Sequence, residues 1–256
     1  MNKVALITGS TSGIGLGIAK QFAQANYHIM FHGLEENGLE IATAIGKEFN
    51  VKTAFSNANL LKTEAIEQLI TQTIAEFGAL HVLINNAGIQ YVSPIEEFPN
   101  ATYEKIIALN MNAAFYASKA AWAQMKLQKF GRIINVSSVH GLRASEYKTA
   151  YVTAKHGVIG MTKVLALEGA PYNINCNAIC PGYVKTPLVE GQIKDQAKAH
   201  EMSETDVVQK VMLKKQAVKD FVPLEAIADM ALLLAKDSSK TITGTSMVLD
   251  GGWTAQ

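Results

Sequence analysis

Two side chains in the middle of the chain have the types and the spacing that proton transfer requires. Tyr151 and Lys155 are four residues apart in a helical pattern, so they share one helix face. A phenol with a pKa near 10 is a poor base at neutral pH, but a nearby ammonium stabilises the phenolate. At ~4 Å and an effective dielectric of ~20, the attraction is roughly 4 kcal/mol, enough to lower the pKa by about 3 units if little is lost to desolvation. Ser138, just after a predicted strand at residues 133–136, adds a hydroxyl.

The pattern Tyr-x-x-x-Lys is weak by itself, because it also occurs by chance in helices where Tyr packs and Lys is solvated. A second stretch strengthens it. Residues 4–7 predict a short buried strand, residues 8–15 are glycine-rich, and a helical pattern covers residues 14–25. Such an arrangement can cradle a phosphate, since backbone N–H groups point at the anion and glycines permit close approach. The spacing is G-x-x-x-G-x-G, not G-x-G-x-x-G, so a simple tight turn is the alternative.

Strand and helix patterns alternate along the rest of the chain. Further strands are predicted at residues 27–31, 53–56, 81–84, 133–136, 174–179 and 246–249, and helices at 38–48, 62–77, 103–126, 150–168 and 225–234. This alternation predicts an α/β fold, a single-domain Rossmann-like, doubly wound, parallel seven-stranded sheet with helices on both faces, over residues 1–256. The charged segment at about 188–222 is interpreted as a solvated helix face or as a substrate-site lid.

The composition excludes several classes of protein. The 256 residues are 48% hydrophobic and 18% charged, which indicates a sizeable core rather than disorder. A net charge of +1 steers neither nucleic acid nor an acidic membrane toward the surface. Cys176 and Cys180 have no partner pair or histidine cluster, so we predict core residues and no metal site. No apolar run approaches the ~18 residues of a membrane span, and the first is too short for a signal peptide, so a cytoplasmic location is expected.

With both stretches in hand, the chain resembles the short-chain dehydrogenase/reductase family over essentially its whole length. The residues that carry the resemblance are the glycine-rich turn at 8–15, Asn85-Asn-Ala-Gly88, Asn110, Ser138, Tyr151-x-x-x-Lys155, Pro181-Gly182 and Asp250-Gly-Gly252. The resemblance implies that Tyr151 exchanges the hydroxyl proton and that Ser138 hydrogen-bonds the substrate oxygen. It also implies that Lys155 lowers the tyrosine pKa and binds the nicotinamide ribose, while Asn110 holds a proton-relaying water. Hydride transfer would belong to the nicotinamide.

The resemblance also implies a set of cofactor-binding residues. They are Gly9, Thr11, Ser12, Gly13, Ile14, Gly15, Leu34, Asn59, Leu60, Asn86, Ala87, Gly88, Tyr151, Lys155, Pro181, Gly182, Val184 and Thr186. Rossmann-like proteins that use NAD often place an acid after the second strand. Gly33 stands there, and Glu35 and Glu36 come one or two positions later, where exposed turn residues are the alternative to a role in binding the ribose. Because no Lys or Arg stands at Leu34 or in the glycine turn to pair with a 2′-phosphate, NAD is predicted rather than NADP.

Four polar residues are candidates for binding a small carboxylate. They are Gln90, His140, Lys148 and Gln192. Two amides, an imidazole and an ammonium would suit such an anion, although spacing alone equally allows surface and turn residues. The stretches Asn-Asn-Ala-Gly-Ile-Gln90, His140-Gly-Leu-x-Ala-Ser, Tyr147-Lys148-x-Ala-Tyr151, Pro187-Leu-Val and Gly-Gly-Trp253 resemble the bacterial D-3-hydroxybutyrate dehydrogenases within the family. That resemblance implies that the four residues bind the substrate carboxylate and that Trp253 packs on the methyl end.

The expected activity is therefore NAD-dependent interconversion of D-3-hydroxybutyrate and acetoacetate. Tyr183 stands where the resemblance leads us to expect Trp, which would leave room for a homologue one carbon longer. The family also implies a homotetramer. The alternatives are another short-chain reductase acting on a ketoacyl thioester or a diketone, or a non-catalytic dinucleotide-sensing protein. Neither nucleic acid nor membrane is an expected partner.

Overall fold

Seven parallel strands form one sheet in the computed structural model, which describes residues 2–199 and 201–255, without the side chains of residues 188, 192, 195, 196 and 199. The strands are β1 (Val4–Ile7), β2 (His28–His32), β3 (Thr53–Ser56), β4 (Val82–Asn85), β5 (Gly131–Val136), β6 (Ile174–Pro181) and β7 (Ser246–Leu249). Their order across the sheet is β3-β2-β1-β4-β5-β6-β7. Each strand overlaps its predicted position, and the predicted Rossmann-like parallel sheet is confirmed.

The helices connect the strands as the alternation predicts. They are α1 (Gly13–Gln24), α2 (Gly38–Phe49), α3 (Thr63–Phe77), α4 (Asn100–Ile107), α5 (Ala113–Leu127), α6 (Thr149–Gly169), α7 (Pro187–Ala199), α8 (Glu204–Val207) and α9 (Leu224–Ala235). The helix predicted over residues 103–126 is two helices, α4 and α5, joined by a π-helical turn at Ala108–Asn112. Such turns are frequent at functional sites, and this one contains Asn110.

Each face of the sheet has its own core, because successive strand residues point to opposite sides. Ile7 and Ile84 pack with apolar residues of α1, α2 and α9. Leu6 and Leu83 pack on the other face with residues of α3, α5 and α6. With both faces covered, β1 and β4 are buried at every position, as continuous apolar strands of a parallel sheet should be.

The carboxyl ends of β1 and β4 meet at the point where the strand order reverses. β1 pairs with β2 on one side and with β4 on the other, and both pairs are parallel. In open α/β sheets the crevice outside such a switch point is where ligands bind. The segments that follow β1, β4, β5 and β6 all begin at this edge of the sheet. Residues that are far apart in the chain are therefore brought together there.

The segment at about 188–222 is mostly helical. After α7 and α8 come a π-helical turn at Val208–Met212 and a short 3-10 helix at Leu213–Lys215. Ile193, Val207 and Met212 form a small apolar cluster separate from the two main cores. Lys210 and Lys214 are exposed, as a solvated face requires. The segment is therefore amphipathic, and its function as a closing lid stays a prediction.

The two cysteines are core residues, as predicted. Cys176 and Cys180 are free and buried on β6, and burial raises the pKa of Cys176 to about 12. Within residues 2–199 and 201–255, no three or more His, Cys, Asp or Glu side chains are grouped as metal ligands. None of the helices in these ranges is both long and apolar enough to cross a membrane.

Candidate active site

The turn between β1 and α1 has a backbone that glycine accommodates best. Gly9 has a φ of +62° and Gly13 a φ of +52°. A Cβ at Gly15 would lie 2.0 Å from the Gly9 carbonyl oxygen, so only glycine fits that position. Ser12 precedes α1 without capping it through its side chain, which leaves N–H groups of the first helical turn available to a ligand. The turn therefore fits a phosphate group.

Hydrogen bonds hold this glycine turn against the end of β4. The Thr8 hydroxyl accepts from the backbone N–H groups of Asn86 at 2.9 Å and Ala87 at 3.1 Å. The Asn86 amide donates to the carbonyl oxygens of Thr8 at 2.9 Å and Gly9 at 3.0 Å. Each segment thus fixes the other, and the turn has its binding shape before any ligand arrives.

A carboxylate lies beside the glycine turn, where the sequence indicated only exposed turn residues. Glu35 lines the cavity at this edge and accepts a hydrogen bond from the Thr11 hydroxyl. A Cβ at Gly33 would lie 2.2 Å from Thr11 Oγ1, so this pair requires the glycine. Burial acts to raise the Glu35 pKa, but hydrogen bonds from Thr11, nearby backbone N–H groups and Ser12 outweigh it and hold the pKa below its usual value. Glu35 is exposed, as the sequence indicated, and it is in addition bound to the Thr11 hydroxyl.

Most of the predicted cofactor-binding residues line one cavity of about 740 Å³. They are Gly9, Ser12, Gly13, Ile14, Leu34, Asn59, Leu60, Asn86, Ala87, Gly88, Tyr151, Lys155, Pro181, Gly182, Val184 and Thr186. Thr11 and Gly15 are not among the lining residues and support the turn instead. His32 lines the cavity without having been predicted. Its Nδ1 accepts from the Gly9 N–H at 3.1 Å, and its Nε2 contacts the Ala58 carbonyl at 2.8 Å. The position of His32 at the end of β2 is the sequence feature that could have identified it.

Tyr151, Ser138 and Lys155 come together at the carboxyl end of β5, as their spacing predicts. The Ser138 hydroxyl lies close enough to the Tyr151 phenol to lower the pKa of that phenol. The Lys155 ammonium lies 5.5 Å from the centroid of the Tyr151 ring and donates to the Val136 carbonyl at 2.7 Å. This arrangement places a phenol, a hydroxyl and an ammonium where a reacting oxygen can contact the first two.

Burial dominates the electrostatics of these three groups. It raises the pKa of Tyr151 to about 12, and the Ser138 hydroxyl opposes it only in part. Burial also lowers the pKa of Lys155 to about 8. The lowering of the tyrosine pKa that we expected from Lys155 is not found, because the condition that little be lost to desolvation fails. Tyr151 is a protonated phenol at neutral pH and can act directly as an acid.

The Asn110 side chain is bound at both ends to the main chain of Ile89. Its Oδ1 accepts from the Ile89 N–H at 2.9 Å, and its Nδ2 donates to the Ile89 carbonyl at 2.8 Å. Asn110 therefore fixes the segment that leads from β4 to Gln90. It also lines, with Lys155, a cavity of about 10 Å³, which is close to the space of one water. A proton-relaying water at Asn110 stays a prediction.

His140 is buried in hydrogen-bonding reach of two serines. Its Nε2 is 3.0 Å from the Ser145 hydroxyl, and its Nδ1 is 3.4 Å from the Ser138 hydroxyl. Burial, followed by the charges of Lys148 and Lys215, lowers the pKa of His140 to about 3. The imidazole is therefore neutral at neutral pH and contributes a hydrogen-bonding group, not a positive charge.

Gln90 and Lys148 present two donors to the same cavity. Gln90 Nε2 is buried without a hydrogen-bond partner. Lys148 is 8% exposed, and none of the ion pairs between described side chains includes it. Burial first, and then the charge of Lys215, lower the pKa of Lys148 to about 8. An anion would satisfy the amide and neutralise the ammonium, so the pair fits a carboxylate.

Two stacked aromatic rings form the wall next to these donors. Trp253 lies 6.0 Å from Tyr183 with 20° between the ring planes, and 5.4 Å edge-to-face from His140. The Lys148 ammonium is 5.6 Å from the Tyr183 centroid, and the Lys215 ammonium, which was not predicted here, is 5.6 Å from the Trp253 centroid. Gln192 lies on α7, and its side chain is outside the described residues.

The fold and this cavity define a dinucleotide-binding oxidoreductase of the short-chain type. Residues 3–197 match the family described as short chain dehydrogenase, and the chain belongs to that family. It is 45% identical to a D-beta-hydroxybutyrate dehydrogenase of Rhizobium meliloti, with 100% of both chains covered. It is 40% identical to a D-beta-hydroxybutyrate dehydrogenase of Cupriavidus necator, with 99% of this chain and 98% of that protein covered. A crystal structure of an actinorhodin polyketide ketoreductase variant with NADPH superimposes with a TM-score of 0.94 at 27% identity, covering 100% of this chain and 98% of the other.

Proposed function

We propose that the chain is an NAD-dependent dehydrogenase that interconverts D-3-hydroxybutyrate and acetoacetate. The observation that carries the proposal is the unpartnered, buried Gln90 amide in the same cavity as the Lys148 ammonium and the Tyr151 phenol. A buried donor without an acceptor is costly, and a substrate carboxylate would remove that cost. The identity to two D-beta-hydroxybutyrate dehydrogenases over nearly their whole length supports the same substrate.

The side chains around Tyr151 supply the proton and hold the substrate oxygen. The nicotinamide, when bound, donates or accepts the hydride. In the reductive direction the Tyr151 phenol donates its proton to the oxygen that becomes the alcohol. A pKa of about 12 keeps that proton on the phenol at neutral pH until the reaction. Ser138 donates a hydrogen bond to the same oxygen and shares the negative charge that develops there. In the oxidative direction the tyrosine must first lose its proton, and the Lys155 ammonium then stabilises the phenolate.

The other end of the substrate is fixed by the donors and the aromatic wall. Lys148 and Gln90 bind the carboxylate, and His140 adds a neutral hydrogen-bonding group. The stacked rings of Tyr183 and Trp253 exclude water from the alkyl part of the substrate. Val189 of the 188–222 segment also lines the cavity, in agreement with a lid function. With both ends held, only one face of the carbonyl is turned to the nicotinamide, and this would set the stereochemistry.

Glu35 supports NAD rather than NADP as the cofactor. Its carboxylate is held by Thr11 at the side of the glycine turn that leads to the end of β2. A lowered pKa keeps it ionised at neutral pH. A 2′-phosphate placed near it would be repelled, whereas ribose hydroxyls can donate to it. The structural relative with NADPH shows only that the family's fold also accepts the phosphorylated cofactor.

We also propose that the chain forms a homotetramer and acts in the cytoplasm. Leu127 is 80% exposed at the end of α5, and Val164 and Leu167 of α6 are 53% and 80% exposed. Apolar side chains this exposed on neighbouring helices are typical of surfaces that pack against another subunit. Size-exclusion chromatography with light scattering tests the assembly.

The direct test of the activity is a matched set of oxidation assays. NADH formation is followed with D-3-hydroxybutyrate, L-3-hydroxybutyrate and the five-carbon D-homologue, each with NAD and with NADP. We expect oxidation of the D-acids with NAD and little with the L-acid or with NADP. Faster reduction of an acetoacetyl thioester or a diketone than of acetoacetate would assign the chain to another short-chain reductase. Tight NAD binding without turnover of any of these compounds would indicate a dinucleotide sensor.

A further inference from the structure

The residue just before Lys148 has a backbone conformation that its side chain does not favour. Tyr147 has a φ of +64°, in the left-handed region, and the residue is 54% exposed. Other described residues in that region include Asn26, Asn50 and Asn173, and asparagine tolerates the conformation well. An aromatic residue there is unusual, and burial of its ring cannot be the reason. The conformation must therefore be held by the surrounding main chain.

A hydrogen bond between two loops holds it. The Ser93 N–H donates to the Tyr147 carbonyl at 2.9 Å. Ser93 is 8% exposed and belongs to the loop that follows Gln90. That loop is itself braced by edge-to-face contacts of Phe98 with Tyr91 at 5.5 Å and with Tyr103 at 6.5 Å. The loop after β4 and the loop before α6 are thus joined by their backbones.

The joined loops carry the two donors of the anion site. Gln90 lies three residues before Ser93, and Lys148 directly follows Tyr147. Lys148 is also the N-cap residue of α6, and its carbonyl accepts from the Val152 N–H at 2.9 Å. The main chain at Lys148 is therefore fixed on its C-terminal side by the helix and on its N-terminal side by Tyr147. A change of φ at Tyr147 would move the Tyr147 carbonyl, which accepts from the Ser93 N–H. It would also move the main chain that leads into Lys148.

We propose that Tyr147 is a positioning residue, whose left-handed backbone, fixed by the Ser93 N–H, holds the Lys148 ammonium opposite the Gln90 amide for binding the substrate carboxylate. This inference rests on the proposed hydroxy-acid activity. It identifies the Tyr147 backbone as the feature that determines the geometry of the Gln90 and Lys148 anion site. The Tyr147 side chain touches neither substrate nor cofactor in this role, so its effect must come through the main chain.

Two substitutions that both remove the ring test the inference. Asn adopts the left-handed conformation readily, whereas a β-branched Val opposes it. We expect Tyr147→Val to raise the KM for D-3-hydroxybutyrate about tenfold, while Tyr147→Asn stays within about twofold of the unsubstituted enzyme. The Kd for NAD should be the same in both variants, because the glycine turn is unaffected. Thermal unfolding shows whether both remain folded, which the exposure of Tyr147 favours.

The same substitution of Tyr147, made in a variant that lacks Lys148, distinguishes positioning of the ammonium from a general effect on the protein. In Lys148→Ala, where the ammonium is gone, exchanging Tyr147 for Val should add less than about threefold to KM. Equal KM values for the Val and Asn variants, or an undiminished effect without Lys148, would overturn the inference while leaving the proposed function intact. If the unsubstituted protein does not oxidise D-3-hydroxybutyrate at all, the proposed function fails, and the inference fails with it.

Discussion

The cofactor end and the substrate end of the cavity are built in different ways. At the cofactor end, positions such as Gly15 and Gly33 leave no space for a Cβ, so the close approach of main-chain segments shapes the site. At the substrate end, Gln90, Lys148 and Trp253 contribute side chains from three separate segments. Backbone shape therefore determines binding at one end, and side-chain chemistry determines it at the other.

This difference explains how the two ends can vary independently. A backbone cradle recognises phosphate groups that every dinucleotide shares, so it can stay the same while substrates change. The substrate end combines a buried amide without a partner, a lysine with a lowered pKa and a tyrosine backbone at positive φ. Such features cost stability, and under the proposed function they mark the place where specificity is determined. Substitutions at one end should therefore leave binding at the other end unchanged.

The largest effect is expected where the two ends meet. Tyr151→Phe removes the proton donor and should lower kcat about a thousandfold, since positioned acid–base groups contribute factors of this order. The Kd for NAD, measured by quenching of protein fluorescence, should change less than about threefold, because the ring remains. Retained turnover in this variant would exclude Tyr151 as the acid and base.

The next largest effect tests the cofactor end. Gly15→Ala puts a Cβ at 2.0 Å from the Gly9 carbonyl oxygen and should weaken NAD binding more than a hundredfold or abolish it. Gly17→Ala is the matched control, since its Cβ would meet only Leu224 at 3.5 Å or more, and it should bind NAD normally. Calorimetric titration of both variants, alongside their unfolding temperatures, distinguishes loss of the cradle from loss of the fold.

Removal of the cation tests the substrate end. Lys148→Ala should raise the KM for D-3-hydroxybutyrate about thirtyfold, as expected for a hydrogen bond to a charged group, with NAD affinity unchanged. Lys148→Met, which keeps the length of the side chain without the charge, should behave in the same way. An unchanged KM in both variants would mean that the carboxylate is bound elsewhere.

The pH dependence of anion binding provides a test without substitution. The pKa of Lys148 is about 8, so the ammonium is present below that pH and is lost above it. The inhibition constant of acetate, an unreactive carboxylate, should therefore rise up to about fivefold between pH 8 and pH 9. Because the pKa of His140 is about 3, no further change is expected between pH 5 and pH 7. A break near pH 6.5 would show that a protonated histidine binds the anion.

The smallest effect concerns cofactor preference. Glu35→Gln removes a charge that is close to the glycine turn but partly exposed, so the affinity for NADP should improve about fivefold relative to NAD. The ratio of the two dissociation constants is the quantity to measure, since a general loss of binding cancels from it. Glu36→Gln is the adjacent control and should leave the ratio unchanged.

The strands and the sheet class could be predicted because they depend on local pattern. The site of Tyr151, Ser138 and Lys155 needed the resemblance of the whole chain to a family, because Tyr-x-x-x-Lys is weak by itself. The boundaries of β1, β3 and β7 are the predicted ones. The contact of Glu35 with Thr11 could not be predicted, because it joins two segments across the crevice and no local pattern contains it. The pKa of Tyr151 was misjudged because burial is a property of the folded chain, not of the four-residue spacing to Lys155. The π-helical turn that divides the long helix likewise had no recognisable local signal.

The two hydrogen bonds between Asn110 and Ile89 restrict what residue 110 can be. One side chain must offer a donor and an acceptor at the same time, to the N–H and the carbonyl of the residue that precedes Gln90. An aspartate of the same shape has only acceptors when ionised, and one of its oxygens would face the Ile89 carbonyl oxygen. Replacement of Asn110 by Asp changes only one atom, from nitrogen to oxygen. It would nevertheless displace Ile89 and with it the Gln90 amide, although Asn110 lies outside the main cavity.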